Sequence, residues 1–220
     1  MKKSKKPGFY PILLNLERLN CLIVGGGKVA CRKALSLLKF NTAVTMISPR
    51  FCRPILDLAG SKKIVIIKKA YSSEYLKGFG IVFSATDNPE INRRVRTDCT
   101  EKGILLNAAD KLPLCDFILP ANISRGDLII SISSQGKAPF FTKEMKKKIN
   151  KLIPPVYEDI FDLAGKFRQH ILADKKVDSK TRAGVLKFFA SKDWVSILQS
   201  NGSVSSKQYI NRILKELDLV

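Results

Sequence analysis

Acidic residues and histidine are scarce in this chain. Nineteen Asp and Glu stand against 39 Lys and Arg, a formal net charge of +20, and the only histidine is His170. A lone histidine, with no C-x-x-C pair beside it, argues against a zinc site, and no His/Cys cluster offers a permanent iron site. The five cysteines, Cys21, Cys31, Cys52, Cys99 and Cys115, are odd in number and dispersed. A disulfide framework is therefore not expected, and a reducing compartment is. No apolar stretch approaches the roughly 18 residues of a membrane span. The run Met1-Lys2-Lys3-Ser4-Lys5-Lys6-Pro7-Gly8 has the charge of a signal-peptide start, but Asn15, Glu17 and Arg18 break the apolar run behind it and no small-residue cleavage site follows. The expectation is a soluble, cytoplasmic protein. There is no internal repeat, and no low-complexity tract beyond the Lys-rich start.

At 220 residues and 45% hydrophobic content the chain is not disordered and can bury a good core, in one domain or two. Its cationic excess must attract something anionic: nucleic acid, a membrane surface, or a polycarboxylate or phosphate ligand. A solvated basic surface accounts for part of that charge, and the run Lys143–Lys151 reads equally well as such a helix face.

The most informative segment is Leu22-Ile23-Val24-Gly25-Gly26-Gly27-Lys28-Val29-Ala30. An apolar run ends in three glycines and a helical pattern starts at once. Gly25, Gly27 and Ala30 fit the G-x-G-x-x-G/A spacing of a dinucleotide-binding turn. Gly25 permits the tight turn, Gly27 lets the backbone approach a pyrophosphate, and Ala30 lets helix and strand pack closely. The helix N-terminus offers free N–H groups and a positive dipole end.

Around this segment, residues 1–115 alternate strand and helix. Apolar runs predict strands over Cys21–Val24, Ala43–Ile47, Ile64–Ile67, Ile81–Ala85 and Ile104–Asn107. Helical spacing predicts helices over Lys28–Lys39 and from about Pro89 to Lys102, the second capped by Asp87 or Asn88. This order implies an α/β fold, a Rossmann-like, doubly wound parallel sheet. After Pro113 the pattern changes. Phe117–Pro120 and Leu128–Ser133 read as strands separated by the turn-like tetrad Ser124-Arg125-Gly126-Asp127. Helical segments follow at Phe140–Leu152, Tyr157–Leu172, Thr181–Ala190 and Lys207–Leu217. The expected parts are a nucleotide-binding domain over 1–115, a short strand-containing segment over 116–150 and a helical C-terminal module over 151–220.

A glycine motif alone is weak, but here it comes in order with further segments: Tyr10-Pro11-Ile12-Leu13-Leu14-Asn15-Leu16, then Ala30-Cys31-Arg32-Lys33, then Ala85-Thr86-Asp87-Asn88-Pro89-Glu90-Ile91-Asn92-Arg93-Arg94-Val95. Next come Asn107-Ala108-Ala109-Asp110, Cys115-Asp116-Phe117-Ile118-Leu119-Pro120-Ala121 and Ile132-Ser133-Ser134-Gln135-Gly136-Lys137-Ala138-Pro139. Over roughly residues 9–150 this series closely resembles the precorrin-2 dehydrogenase/sirohydrochlorin ferrochelatase family. The resemblance implies a homodimer, with the middle segment as its dimerisation part. It also implies NAD-dependent oxidation of precorrin-2 to sirohydrochlorin, and in some members insertion of ferrous iron as a substrate.

The cofactor set is then Gly25, Gly27, Lys28, Val29 and Ala30. The second strand ends Ile47-Ser48-Pro49-Arg50, without the acid that usually holds the ribose of NAD. The resembled family also commonly lacks it, so NAD is the expectation. Ser48 and backbone groups around Pro49 would serve the ribose, and Arg50 could meet a 2′-phosphate, which leaves NADP open. Thr86, after the fourth strand, is a further cofactor contact, while Asp87 beside it reads better as a helix cap. The resemblance places the catalytic aspartate at Asp110, where a carboxylate can take the proton released in dehydrogenation or hold Fe²⁺ briefly through oxygen. It places Ser134 near the substrate, where the hydroxyl could bind a propionate or, if phosphorylated, hinder an anionic substrate. Relatives read Ser-Ser-Gly-Gly-x-Ser-Pro there; this chain departs at Gln135 and Ala138. The basic charge suits an anionic tetrapyrrole rich in carboxylates, with Arg93, Arg94 and Arg125 as candidate partners. His170 reads as a surface or packing residue.

A reading from another class is a basic, Rossmann-type nucleotide-sensing or nucleic-acid-binding regulator. Only the charge supports it, since the sequence shows no aromatic-rich RNA motif and no compelling helix-turn-helix. No nucleic-acid partner is expected.

Overall fold

The computed structural model describes residues 8–109, 111–173 and 178–200, with Gln208 and Lys215. The chain divides into two compact units, Met1–Leu119 and Pro120–Val220. The hairpin and helix expected as a separate segment over 116–150 begin at the boundary and lie in the second unit with the later helices.

In the first unit, five short strands form a parallel sheet: β1 (Cys21–Val24), β2 (Val44–Ile47), β3 (Val65–Ile67), β4 (Ile81–Ser84) and β5 (Leu105–Ala108). Their order is β3-β2-β1-β4-β5. Three helices connect them, α1 (Lys28–Leu37), α2 (Arg53–Gly60) and α3 (Pro89–Glu101). The central strands β1 and β4 are buried along their whole length, which is why they read as uninterrupted apolar runs. Along β1, Cys21 and Ile23 pack into one cluster with Ala30, Cys31, Ala34 and Leu37 of α1 and Ile55 of α2. Leu22 and Val24 face the opposite cluster, with Val95 and Cys99 of α3. Two-residue periodicity thus covers both faces of the sheet.

The strand order reverses at β1, which pairs with β2 on one side and β4 on the other. In an open α/β sheet, ligands lie beyond the carboxyl ends of the strands at such a switch point. β5 is an edge strand whose outer face is covered by its own following loop. The Leu106 N–H donates to Asp116 Oδ2 at 2.9 Å, and the Asp116 N–H donates to Leu106 O at 2.8 Å. The Ala108 N–H reaches Cys115 Sγ at 3.2 Å, and Arg96 pairs with Asp116 at 2.6 Å.

The second unit opens on a hairpin of β6 (Ala121–Arg125) and β7 (Leu128–Ile132). It continues through α4 (Pro139–Leu152), α5 (Tyr157–Ala173), α6 (Ser179–Ala190) and α7 (Trp194–Ser200). Its core is aromatic. Phe189 of α6 stacks on Phe167 of α5 at 4.4 Å and on Trp194 at 4.3 Å. The Trp194 indole N–H donates to Phe189 O at 2.7 Å, giving the buried ring its polar partner. Helix α4 differs from α5 and α6: none of its residues is buried, and Phe140, Phe141 and Leu152 are 74%, 60% and 73% exposed.

Several local expectations change. The strand expected at Phe117–Pro120 begins instead at Ala121, because the ladder that makes it a strand is the pairing with β7, from Ala121↔Ile132 to Arg125↔Leu128. The tetrad Ser124–Asp127 shrinks to Gly126-Asp127, since Ser124 and Arg125 belong to that ladder, and Gly126 takes the positive φ of 54° that starts the tight turn. Helix α1 stops at Leu37 and gives way to a 3₁₀ turn over Leu38–Phe40 that ends at left-handed Asn41. Helices α2 and α7 were not expected. The helix expected over 207–217 lies outside the described residues apart from Gln208 and Lys215.

Candidate dinucleotide site

The glycine turn joins β1 to α1, and its three glycines are held for three different reasons. Gly25 has φ +133°, and a Cβ there would lie 2.3 Å from Ala85 O. Its N–H donates to Ile47 O at 2.9 Å. A Cβ on Gly26 would lie 1.9 Å from Arg50 O and 2.9 Å from Ser48 Oγ, and its carbonyl accepts from the Cys52 N–H at 2.8 Å. Gly27 is different: nothing lies within 4 Å of its Cβ position, and the residue is exposed. The first two glycines let the turn pass between the ends of β2 and β4. The third leaves open space in front of the helix.

Gly27 is the N-cap of α1 and has no side-chain partner there. The N–H groups at the start of a helix lack intrahelical acceptors, and the Cys31 N–H is the one that returns to Gly27 O, at 3.0 Å. The first turn contains no acid and begins with exposed Lys28, so nothing offsets the positive end of the helix dipole. Ala30 has no exposed surface and packs in the cluster beneath the sheet. Open space, donors and positive charge together fit the pyrophosphate of a dinucleotide.

At the end of β2, the Ser48 N–H bonds Ile67 O at 3.2 Å, and Ser48 Oγ accepts from the Arg50 N–H at 3.4 Å. Pro49 and Arg50 are exposed. No acid follows the strand, as read from the sequence. At the end of β4, Thr86 is held by a buried amide. Asn92 is 5% exposed; its Nδ2 donates to Thr86 O at 3.0 Å, while its Oδ1 accepts from Thr86 Oγ1 at 3.1 Å and from the Ser84 hydroxyl at 2.5 Å. The cap of α3 is Asn88, which accepts from the Glu90 and Ile91 N–H groups. Asp87, given the cap above, is exposed and lines a shallow hollow of about 530 Å³ with Asn88, Pro89, Glu90 and Arg93. The cap must accept from N–H groups two and three residues on, and Asn88 is in register to do so.

Asp110 lies outside the described residues. The described ends of its loop are tied down. The Ala109 N–H bonds Ser84 O at 2.8 Å. Cys115 Sγ donates to Ala108 O at 3.2 Å, and burial pushes its thiol up, so the proton stays on sulfur. Below the loop, Lys33 Nζ donates to Asn107 Oδ1 at 2.7 Å, and Asn107 Nδ2 donates to Phe117 O at 2.9 Å.

In the second unit, Ser134 Oγ accepts from the Ala138 N–H at 3.0 Å and from the Thr142 hydroxyl at 3.1 Å, fastening the turn to the start of α4. Gln135, where the resembled family has glycine, sits at φ +52°, a left-handed conformation that favours glycine. Arg125, a candidate for substrate carboxylates, is engaged internally: Nε donates to Ile153 O, and its two other guanidinium nitrogens donate to Ser124 O and Asn150 Oδ1, all at 3.0 Å or less. Arg94 pairs with Asp98 at 4.0 Å. His170 is exposed.

The sequence reading missed Gly26, Asn92 and Lys33. Gly26 was hidden because its constraint comes from Arg50, distant in sequence. Asn92 had a usable signal, since it lies on the same helix stripe as Val95 and Cys99. Among the described residues, no helix is long and apolar enough to cross a membrane.

Residues 12–121, half of the chain, match the family described as "Putative NAD(P)-binding". The siroheme synthase of Vesicomyosocius okutanii subsp. Calyptogena okutanii (strain HA) is 34% identical over 165 residues, 75% of this chain and 35% of that protein. The siroheme synthase of Psychrobacter sp. (strain PRwf-1) is 34% identical over 208 residues, 94% of this chain and 42% of that protein. The chain thus spans well under half the length of these curated relatives. Among solved structures, SirC, precorrin-2 dehydrogenase, has the same fold, with a TM-score of 0.76 at 22% identity, covering 94% of this chain and 100% of that one.

Proposed function

The chain belongs to the family described as "Putative NAD(P)-binding" and is similar to siroheme synthases over most of its length, and on that premise we propose that it oxidises precorrin-2 to sirohydrochlorin with NAD. The observation that carries this reading is the glycine turn: a path forced at Gly25 and Gly26, open at Gly27, and facing a helix start free of acids. Gly25, Gly27, Lys28, Val29 and Ala30 are the groups that hold the pyrophosphate. Ser48 and the backbone at Pro49 serve the ribose, and Thr86, oriented by Asn92, borders the site from β4. Bound there, the nicotinamide supplies the hydride acceptor. Arg50, exposed after β2, is the side chain that would meet a 2′-phosphate, so NAD and NADP are to be compared directly.

Asp110 takes the proton that the substrate releases as hydride departs. It follows Ala109 in sequence, in a loop whose ends are anchored on Ser84 and Cys115. Ser134 is the substrate-side hydroxyl of this reading, in a turn that its Oγ ties to Ala138 and Thr142; there it would meet a propionate, and its phosphorylation would set negative charge against an anionic tetrapyrrole. Of the three arginines named as substrate contacts, Arg93 is the one retained. Ferrous iron is a second substrate in this reading, with Asp110 as its transient oxygen ligand. The segment 116–150 carries the homodimer contact, which exposed Phe140 and Phe141 support. The five free cysteines suit a reducing cytoplasm.

The test is the purified chain with precorrin-2 and either dinucleotide, with and without Fe²⁺, following sirohydrochlorin, NADH and siroheme. Formation of sirohydrochlorin with NADH supports the reading, and their absence sinks it. Asp110→Ala should lower turnover by about 10²- to 10⁴-fold while leaving dinucleotide binding intact; full activity would remove Asp110 from the role. The regulator reading has no observation at the site in its favour.

A further inference from the structure

Two of the five cysteines meet behind the glycine turn, and neither has a part in the chemistry proposed above. Cys31, in α1, donates its backbone N–H to Gly27 O at 3.0 Å; Cys52, the N-cap of α2, donates its own to the adjacent carbonyl, Gly26 O, at 2.8 Å. Consecutive carbonyls of one turn therefore anchor both backbones. Both side chains pack in the same cluster on the same face of the sheet, Cys31 buried and Cys52 half-buried. Burial raises the Cys31 thiol, and the Cys52 thiol beside it raises it further. The other cysteines are placed differently. Cys21 shares that cluster but its sulfur contacts the Thr42 hydroxyl, Cys99 is buried on the opposite face, and Cys115 is bonded into the loop after β5.

We propose that Cys31 and Cys52 are a reversible dithiol–disulfide site, closed by a peroxide across the back of the dinucleotide turn. Cys52, the more exposed, meets the oxidant. Its sulfur attacks one peroxide oxygen, the O–O bond breaks, and a sulfenic acid and one water result. The Cys31 sulfur then attacks the Cys52 sulfur, and the hydroxyl leaves with the Cys31 proton as a second water. Two thiols lose two electrons and one peroxide becomes two waters. A small thiol reductant reopens the bond by exchange. Because the Cys52 N–H already bonds Gly26 O, closure stiffens an existing clasp rather than reshaping the turn. This site does not depend on which dinucleotide or substrate the protein uses.

The test uses the full chain, reduced, freed of reductant and treated with hydrogen peroxide at a small excess. Labelling of thiols after unfolding should fall from five per chain to three, and peptide mapping should find Cys31 joined to Cys52 within one chain. Dithiothreitol should restore all five. Closure of a loop of about twenty residues should raise Tm by roughly 5–10 °C. Cys52→Ser should keep its four remaining thiols under the same treatment, while Cys115→Ser should still lose two. The proposal is overturned by a link between other cysteines, by a disulfide between chains, by Cys52 oxidised to sulfinic acid with Cys31 still free, or by a fall in Tm on closure.

Discussion

Every residue of β1 and β4 is buried in the unit Met1–Leu119, whereas α4 in the unit Pro120–Val220 buries none of its residues. The first unit spends its burial on both faces of a sheet, and its special residues are small or polar: Gly25, Gly26, Ala30, Asn92. The second concentrates burial in one aromatic stack, Phe167–Phe189–Trp194, and leaves large apolar side chains outside. The difference teaches where each unit is constrained. In the first, backbone paths pass so close that single atoms matter. In the second, the described residues form one helical core, while the described face of α4 carries exposed aromatic side chains.

The sharpest way to break this contrast is inside the glycine turn. Gly26→Ala forces a Cβ to within 1.9 Å of Arg50 O and should destabilise the first unit by about 3–5 kcal/mol, taking dinucleotide binding with it. Gly27→Ala, with open space around it, should change stability by less than about 1 kcal/mol yet weaken dinucleotide binding roughly tenfold or more. Chemical denaturation and NADH fluorescence titration separate the two effects. Equal stability losses would mean that the turn is not shaped by Arg50.

Phe189→Ala should cost the second unit about 3–5 kcal/mol, because it removes the ring between Phe167 and Trp194. Dinucleotide binding by the first unit should persist at denaturant concentrations where the helical far-UV signal has partly gone. Simultaneous loss of both would show that the units unfold as one.

Alkaline pH probes the same division. Burial pushes the Cys99 thiol up to about 11, with Asp116 and Asp98 raising it further. The folded state therefore holds this proton more tightly than the unfolded state. The associated stability is complete below a pH of about 9 and is lost as pH rises towards 11, an effect of about 2–3 kcal/mol. Tyr71, raised by burial and by its 2.8 Å bond to Asp98, adds in the same direction. In the second unit the described shifts are downward, at Glu144, Asp178 and Asp193. Denaturant midpoints between pH 8 and 11 should fall for the first unit, and less steeply in Cys99→Ala. An unchanged slope in that variant would exonerate the thiol.

The smallest expected effect on folding comes from the exposed face of α4. Phe140→Asp with Phe141→Asp should shift monomer stability by only about 0.5 kcal/mol. In sedimentation velocity, however, it should turn the proposed dimer into a monomer. A variant that remains dimeric would place the contact elsewhere.

Much of the first unit was legible because central parallel strands are apolar throughout and α1 repeats its small residues at helical spacing. Gly25, Gly27 and Ala30 were singled out by spacing alone, and the structure puts them in the turn from β1 into α1. Helix α2 escaped because it is short and buries only Ile55, too little to show a stripe. The strand at Phe117–Pro120 was misplaced because an apolar run is no strand without a partner, and the partner register starts at Ala121. Arg125 looked like a free cation until its bonds to Ile153, Ser124 and Asn150 were seen. Those contacts span up to 28 residues, and no local pattern announces them.

The loop that folds back over β5 has a consequence for the protein while it is being made. A bare strand edge recruits further strands, and a nascent chain in a crowded cell is the usual victim. Here Asp116 and Cys115 occupy the hydrogen-bonding groups of Leu106 and Ala108, and at the other margin three-residue β3 is flanked by Lys62, Lys63, Lys68 and Lys69. One margin is capped and the other charged, so the sheet is closed to growth into fibres.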